Sequence, residues 1–317
     1  MNIVVLDGFA LNPGDLDWTE LESLGTVTIY DRTSDDEILS RIRKADIVLT
    51  NKTPLTSEIL YQCPSLKMIS VLATGYDIID LMACNALGIV VCNVPDYGTK
   101  SVSQMTMALL LEVCNQVGYH AQRVKQGQWI HSKDWCFWDI PSIELDQKTM
   151  GIIGYGRIGQ NTAKLAKAFG MNVLALGHKN FREDVPYVDM KTLCQQSDVI
   201  VLHCSLTAET YHLINEQTLS WMKPGSILIN NARGDLVDET ALANALNTNH
   251  IYAAALDVVS KEPMEKNNPL LKAKNCFITP HMSWASLEAR QRILNTTIEN
   301  IKGFLNSKPI HQVKMNQ

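Results

Sequence analysis

The sequence predicts an α/β protein built as two doubly wound parallel-sheet domains, and three observations carry that prediction. Apolar runs too short for helices alternate with amphipathic segments along most of the chain, the pattern of parallel strands covered on both faces. Around residue 154 a Gly-x-Gly-x-x-Gly turn joins one such run to a helical pattern. An internal echo relates residues 45–58 to residues 197–209, with one residue inserted: each is an acidic-capped strand leading to a loop and a helix.

In order, strands are expected at 3–6, 26–30, 46–50, 68–73 and 89–93, with helices at 34–44, 57–61 and 80–87, the last ended by Gly88. Residues 94–98 (Val-Pro-Asp-Tyr-Gly) are turn chemistry and a natural domain crossing. Residues 101–125 read as one long helix with Met105, Ala108, Leu109 and Leu111 on its buried side. Residues 129–138 are rich in aromatics without a period, an arm whose rings need another surface to cover them. Further strands are expected at 199–203, 226–230, 253–258 and 276–279, with helices between them, including 239–246. A last helix, about 286–305, cannot be placed from periodicity alone.

The glycine turn is the most informative stretch. Met150, Ile152 and Ile153 lead into Gly154, Gly156 and Gly159, and Ile158, Thr162, Leu165, Ala166 and Phe169 are expected on one face of the helix that follows. Gly154 permits a tight turn, Gly156 lacks a Cβ that would block a pyrophosphate, and Gly159 lets the helix pack closely on the strand. The helix N-terminus supplies free N–H groups and its positive dipole end. This is a Rossmann-like signature for a nicotinamide dinucleotide. An NAD site places Asp or Glu at the end of the next strand, where it accepts from the ribose 2′-hydroxyl. This chain has Gly177 there, followed by His178, Lys179 and, further on, Arg182. Glycine removes the charge that would repel a 2′-phosphate. The basic residues are either phosphate attractors or ordinary loop residues, so the choice between NAD and NADP stays open.

Length and composition bound the rest. At 317 residues the chain can bury two cores. Its net charge of −5, with both signs mixed throughout, argues against nucleic-acid binding and against a disordered charged tail. The apolar run Leu109-Leu110-Leu111 is stopped by Glu112, so no membrane span is expected, and the first residues read as a strand rather than a leader. The cysteines (Cys63, Cys84, Cys92, Cys114, Cys136, Cys194, Cys204 and Cys276) contain no Cys-x-x-Cys. They read as reduced core thiols of a cytoplasmic protein, with no disulfide frame and no metal site.

Ligands of an open parallel sheet collect outside the carboxyl ends of its strands. Three polar residues follow expected strands there: Arg233, Glu262 and His281. Reduction of a carbonyl needs a proton donor near neutral pH, which histidine supplies. A carboxylate bonded to the imidazole fixes its orientation, and an arginine can clamp a substrate carboxylate through two parallel hydrogen bonds. Taken singly, each has a plainer explanation: a surface ion pair, a loop residue before Pro263, a residue at a helix start.

Together, Gly154-Tyr-Gly156-Arg-Ile-Gly159, Asn231-Ala-Arg233-Gly, Asp257-Val-Val-Ser-Lys-Glu262-Pro and Pro280-His281 resemble the D-2-hydroxyacid dehydrogenases. Five further stretches resemble the glycerate dehydrogenase (hydroxypyruvate reductase) branch: 7–15, 50–56, 72–77, 94–99 and Trp135-Cys-Phe-Trp138. The likeness runs from the first strand to about Val313.

The resemblance implies a substrate domain of residues 1–98 plus 287–317, a dinucleotide-binding domain of residues 99–286, and an active-site cleft between them. It implies that Arg233, Glu262 and His281 are catalytic. Ala73, Thr74 and Gly75 would offer backbone N–H groups to the substrate carboxylate, with Lys52 and Arg233 as further substrate contacts. Gly154, Gly156, Arg157, Ile158, Gly159, His178, Lys179, Val102, Thr106, Ala232 and Asp257 would hold the cofactor. The implied substrate is a small 2-keto or 2-hydroxy acid such as hydroxypyruvate or glyoxylate, and the implied assembly is a homodimer through Trp135, Phe137 and Trp138. Formate oxidation is disfavoured, because that branch carries glutamine where this chain has Glu262. The competing reading is a non-catalytic NAD(H) sensor of the same fold.

Overall fold

The computed structural model describes residues 1–177 and 184–313. The chain divides into two compact units, one of Met1–Tyr97 with Ala285–Gln317 and one of Gly98–Trp284.

The first unit holds a five-stranded parallel sheet of β1 (Asn2–Val5), β2 (Thr26–Ile29), β3 (Ile47–Thr50), β4 (Met68–Val71) and β5 (Val90–Cys92), in the order β2-β1-β3-β4-β5. β3 and β4 are buried at every position, as expected of strands covered on both faces. The helix Leu287–Leu305 belongs to this unit and packs on β4, burying Ile293, Leu294, Ile298 and Ile301. Its Arg290 is 7% exposed and grips both carboxylate oxygens of Asp15 at 2.6 Å.

The second unit holds a seven-stranded parallel sheet. Its strands are β6 (Thr149–Ile153), β7 (Asn172–Leu176), β8 (Tyr187–Val188), β9 (Val199–Leu202), β10 (Ile227–Asn230), β11 (Ala253–Leu256) and β12 (Cys276–Ile278). The order is β12-β11-β10-β9-β6-β7-β8, so the chain reverses direction across the sheet between β6 and β9, as it does between β1 and β3 in the first unit. Such reversals are where open α/β sheets take ligands.

The internal echo has a structural counterpart. Asp46, just before β3, accepts from the N–H of Asn2 (2.9 Å) and from Lys67 Nζ (2.8 Å). Asp198, just before β9, accepts from the N–H of Thr149 (2.8 Å) and from Lys223 Nζ (3.0 Å). In each unit one carboxylate ties the start of the first strand to the strand across the reversal.

Several local expectations are corrected. The segment 101–125 is two helices, Thr99–Asn115 and Val117–Lys125, broken at Gln116, which adopts φ +46° and ψ +48°. The first helix buries Ser103, Thr106, Met107, Leu109, Leu110, Val113 and Cys114, whereas Ala108 is exposed; the second buries nothing. On the helix Arg157–Ala168 the buried stripe is Gly159, Thr162, Ala163 and Ala166, and Phe169 is 43% exposed. Small residues win that face because the helix Thr99–Asn115 packs against it. The helix expected at 34–44 is reduced to Ile38–Ile42, and just ahead of it the Glu37 carboxylate accepts from the N–H and hydroxyl of Ser34.

Candidate functional site

Where β6 ends, Gly154 turns with φ +99°, and a Cβ there would stand 2.4 Å from the Cys204 nitrogen and 2.5 Å from the His203 carbonyl carbon. A Cβ on Gly159 would stand 2.3 Å from the Gly154 oxygen, so the helix can begin this close to the strand only with glycine. Among the described residues, a Cβ on Gly156 would meet nothing within 4 Å. Among the described residues, no N-cap side chain bonds the first turn of the helix, as glycine at the N-cap dictates. This cradle fits a dinucleotide pyrophosphate. Arg157 is exposed and Ile158 half-buried at its rim.

His203 follows β9 in the same turn. Its N–H donates to the Ile153 oxygen at 2.7 Å, and its Nε2 lies 2.9 Å from the Thr162 hydroxyl. Burial pushes its pKa down to about 3, so the ring is neutral at any working pH. Nothing in the periodicity marks this residue as part of the turn. Gly177 ends β7 with φ +157°, and a Cβ there would meet the Tyr187 ring at 3.0 Å. His178 and Lys179, together with Arg182, lie outside the described residues.

Three loops at the carboxyl ends of β10, β11 and β12 carry the polar residues. After β10, the Asn230 side chain accepts from the Ala232 N–H (3.1 Å) and donates to the Arg233 oxygen (2.8 Å), which presents the Arg233 guanidinium at the surface. A Cβ on Gly234 would be 2.0 Å from the Val259 carbonyl carbon, so this loop lies directly on the segment that carries Glu262. Glu262 Oε1 accepts from the Val259 N–H at 3.2 Å, and Oε2 lies 2.6 Å from His281 Nδ1. Against a carboxylate Nδ1 carries the hydrogen, which leaves Nε2 as the nitrogen available to a ligand.

Asp257 holds this turn together. It is 1% exposed, and its carboxylate accepts from the Thr279 hydroxyl (2.5 Å), the Met282 N–H (2.9 Å) and the Ser283 N–H (2.7 Å). Its backbone oxygen accepts from the His281 N–H at 2.8 Å. His281 itself has φ +52°, a left-handed conformation that costs a non-glycine residue on the order of 1 kcal/mol and persists only where the surroundings hold it. Thr106 is fully buried, with its hydroxyl donating to the Val102 oxygen (2.9 Å) and accepting from Asn231 Nδ2 (2.8 Å). Asn231 Oδ1 and Ser283 Oγ are buried with no hydrogen-bond partner among the described residues. Asn231 stands in the Asn231-Ala-Arg233-Gly stretch, but the pattern of residue types gave no signal for Asn230 or Ser283.

In the first unit, the loop after β4 has its acceptors engaged and its donors open. The Ala73 oxygen accepts from the Val94 N–H (3.0 Å), the Thr74 oxygen accepts from Asn93 Nδ2 (2.8 Å), and the Thr74 hydroxyl donates to the Val94 oxygen (2.8 Å). Among the described residues, the N–H groups of Thr74, Gly75 and Tyr76 have no acceptor. Lys52, in the loop after β3, is exposed.

Comparison with known proteins places this geometry. The sequence profile of the D-isomer specific 2-hydroxyacid dehydrogenase NAD binding domain matches residues 107–283. A hydroxypyruvate reductase of Blautia hydrogenotrophica is 52% identical over 320 residues, covering 99% of both chains. An acyclic imino acid reductase solved with NADPH and D-Arg superposes with a TM-score of 0.85 at 31% identity, over 99% of this chain and all of that one. The D-lactate dehydrogenase of Aquifex aeolicus, solved with NAD and lactic acid, has a TM-score of 0.81 at 30% identity, over 97% of this chain and 96% of that one. The profile spans more than half of the sequence and the glycine turn lies within it, so the chain belongs to the D-isomer specific 2-hydroxyacid dehydrogenases, NAD(P)-dependent oxidoreductases that act on CH–OH groups.

Proposed function

We propose that the protein reduces a small 2-keto acid, hydroxypyruvate foremost and glyoxylate second, to the D-2-hydroxy acid. The observation that carries this reading is the 2.6 Å contact of Glu262 with His281 on a turn held by Asp257. A reduced nicotinamide bound at this site would supply the hydride for the keto carbon. His281 Nε2 gives its proton to the keto oxygen, and Glu262 keeps the ring oriented and compensates its positive charge while protonated. Arg233 binds the substrate carboxylate through its planar fork. The N–H groups of Thr74 and Gly75 receive the same carboxylate, and Lys52 adds positive charge. Val102, Thr106, Ala232 and Asp257 shape the nicotinamide end of the site, and Gly154, Gly156 and Gly159, with Arg157 and Ile158, hold the phosphates.

The domain roles follow from these assignments: residues 1–98 plus 287–317 bind the substrate and residues 99–286 the cofactor. The protein is a homodimer of the cytoplasm. Support for the dimer comes from the arm after Lys125, where Trp135 is 87% exposed and Trp138 68%. Phe137 contributes less than the sequence implies, because its half-buried ring lies 6.2 Å from the His120 ring of its own chain.

The test is the loss of reduced-nicotinamide absorbance on a panel of 2-keto acids with NADH and NADPH in turn. Turnover of hydroxypyruvate above pyruvate and oxaloacetate is expected. Cofactor binding without turnover of any keto acid would mark a sensor instead.

A further inference from the structure

The two units carry the same strand arrangement at their reversal points, and they treat that point in opposite ways. In the first sheet Ile3 pairs with Ile47, and in the second Met150 pairs with Val199. Carried along the strands, this register puts Asp7 where the second unit has Gly154, and Asn51 and Lys52 where it has His203 and Cys204. In the second unit the position is stripped to glycine, and a long helix with an uncapped first turn leaves room for a phosphate. In the first unit the same position bears a carboxylate. Asp7 Oδ1 accepts from the Asn51 N–H at 2.8 Å, and Oδ2 accepts from the N–H groups of Lys52 (2.6 Å) and Thr53 (3.0 Å) and from the Thr53 hydroxyl (3.2 Å). Three successive backbone N–H groups converging on one anion form the kind of nest that elsewhere binds phosphate or carboxylate ligands. The Thr50 hydroxyl closes the turn from below on the Thr53 oxygen at 2.9 Å.

We propose that Asp7 is a built-in anion that plugs the amide nest of the first unit, which leaves the neighbouring amides of Thr74–Tyr76 as the seat for the substrate's single carboxylate. β3 and β4 are adjacent, so the two amide clusters follow neighbouring strands of one sheet. One is filled by the protein's own carboxylate, whereas the N–H groups of the other have no acceptor among the described residues. The plug fixes the loop that carries Lys52, and it denies a second anionic group a place to bind. The protein is therefore a reductase of keto monocarboxylates, and Asp7 is a specificity-determining and positioning residue. This rests on the 2-keto-acid reading above.

The experiment compares the full-length wild type with Asp7→Ala and Asp7→Asn. Emptying the nest in Asp7→Ala should let inorganic sulfate raise the melting temperature of the variant more than that of the wild type, at matched ionic strength. This readout needs no turnover, so it tests the plug even if the 2-keto-acid reading fails; that reading stands or falls on wild-type turnover of hydroxypyruvate. In kinetics, Asp7→Ala should raise KM for hydroxypyruvate about tenfold with kcat little changed, the loss expected for a set of charge-assisted bonds. Added acetate should lower the variant's KM and not the wild type's, because it refills the nest. Asp7→Asn keeps the shape and one acceptor but not the charge, and should show the raised KM. Equal sulfate and acetate responses in wild type and Asp7→Ala would overturn the proposal. So would an Asp7→Asn variant with wild-type KM, and that outcome can be read even if Asp7→Ala fails to fold.

Discussion

At the scale of single residues, His281 and His203 show how surroundings assign different work to one side chain. His281 is half-buried, with Nδ1 on a carboxylate. Replacing it with alanine should lower turnover on the order of a hundredfold or more, the usual loss for a positioned acid, while dinucleotide affinity measured by fluorescence titration stays near wild type. Near-full turnover would remove it from the mechanism. Glu262→Gln should give a smaller loss together with a displaced pH–rate profile, since glutamine still accepts the bond but cannot compensate the imidazolium. His203 is held neutral by burial, with a pKa pushed down from 6.5 to about 3. Its folded-state pKa lies below the unfolded one, so the unfolded chain takes up the proton first. The stability it contributes is whole above about pH 6.5 and is lost as pH falls from there toward 3, at up to about 1.4 kcal/mol per pH unit. His203→Asn should flatten this part of the stability–pH curve in denaturant titrations; an unchanged slope would show that other groups control it.

Among the elements, the turn after β6 and the end of β7 are the two stretches on which the proposed cofactor site draws. The glycine turn is dictated by contacts of 2.3–2.5 Å that a Cβ would make with backbone atoms, and these do not depend on which dinucleotide binds. In the proposed site, choice between NADH and NADPH would fall to the end of β7. There Tyr187, in an edge-to-face pair with Tyr155 at 5.9 Å, stands against Gly177. Glycine at this position therefore has a packing reason besides tolerance of a 2′-phosphate. Gly177→Asp alone should destabilise the protein, because both the φ of +157° and the Tyr187 ring oppose the new side chain. Gly177→Asp combined with Tyr187→Ala should recover part of that loss and favour NADH over NADPH by the ratio of kcat/KM. If Gly177→Asp alone were fully stable in a melting experiment, the ring would not constrain this site.

For the whole molecule, the exposed helix Val117–Lys125 and the arm after it form an apolar feature of the surface. Val117 is 64% exposed, Ile130 81% and Trp135 87%, and the helix Val117–Lys125 buries no residue. The arm is nevertheless ordered by its own chain: the Tyr119 hydroxyl donates to Asp139 at 2.8 Å and Trp129 Nε1 donates to the Trp135 oxygen at 3.0 Å. A segment ordered in itself yet apolar outside is suited to a second copy of the chain. Light scattering at micromolar concentration should report a dimer, and replacing Trp135 and Trp138 with serine should shift the mass toward the monomer. A wild-type monomer would sink the homodimer reading.

The sequence alone determined the α/β class, the glycine turn and the positions of most strands along the chain, because these are written in short-range periodicity and in residues whose conformational demands are local; the order of strands within each sheet came from the structure. It also placed Arg233, Glu262 and His281 after successive strands, since a parallel sheet puts every such loop at one end. Tertiary structure decided the rest. It decided that Gln116 breaks what reads as one helix, and that Phe169 is left outside while alanines face a neighbouring helix. It also decided that Asp257 holds the His281 turn and that Asp7 fills a nest some forty-five positions away in the chain. Each of these rests on contacts between segments distant in sequence. A carboxylate reads identically in sequence whether it faces water or three converging N–H groups, and only the fold brings those groups together.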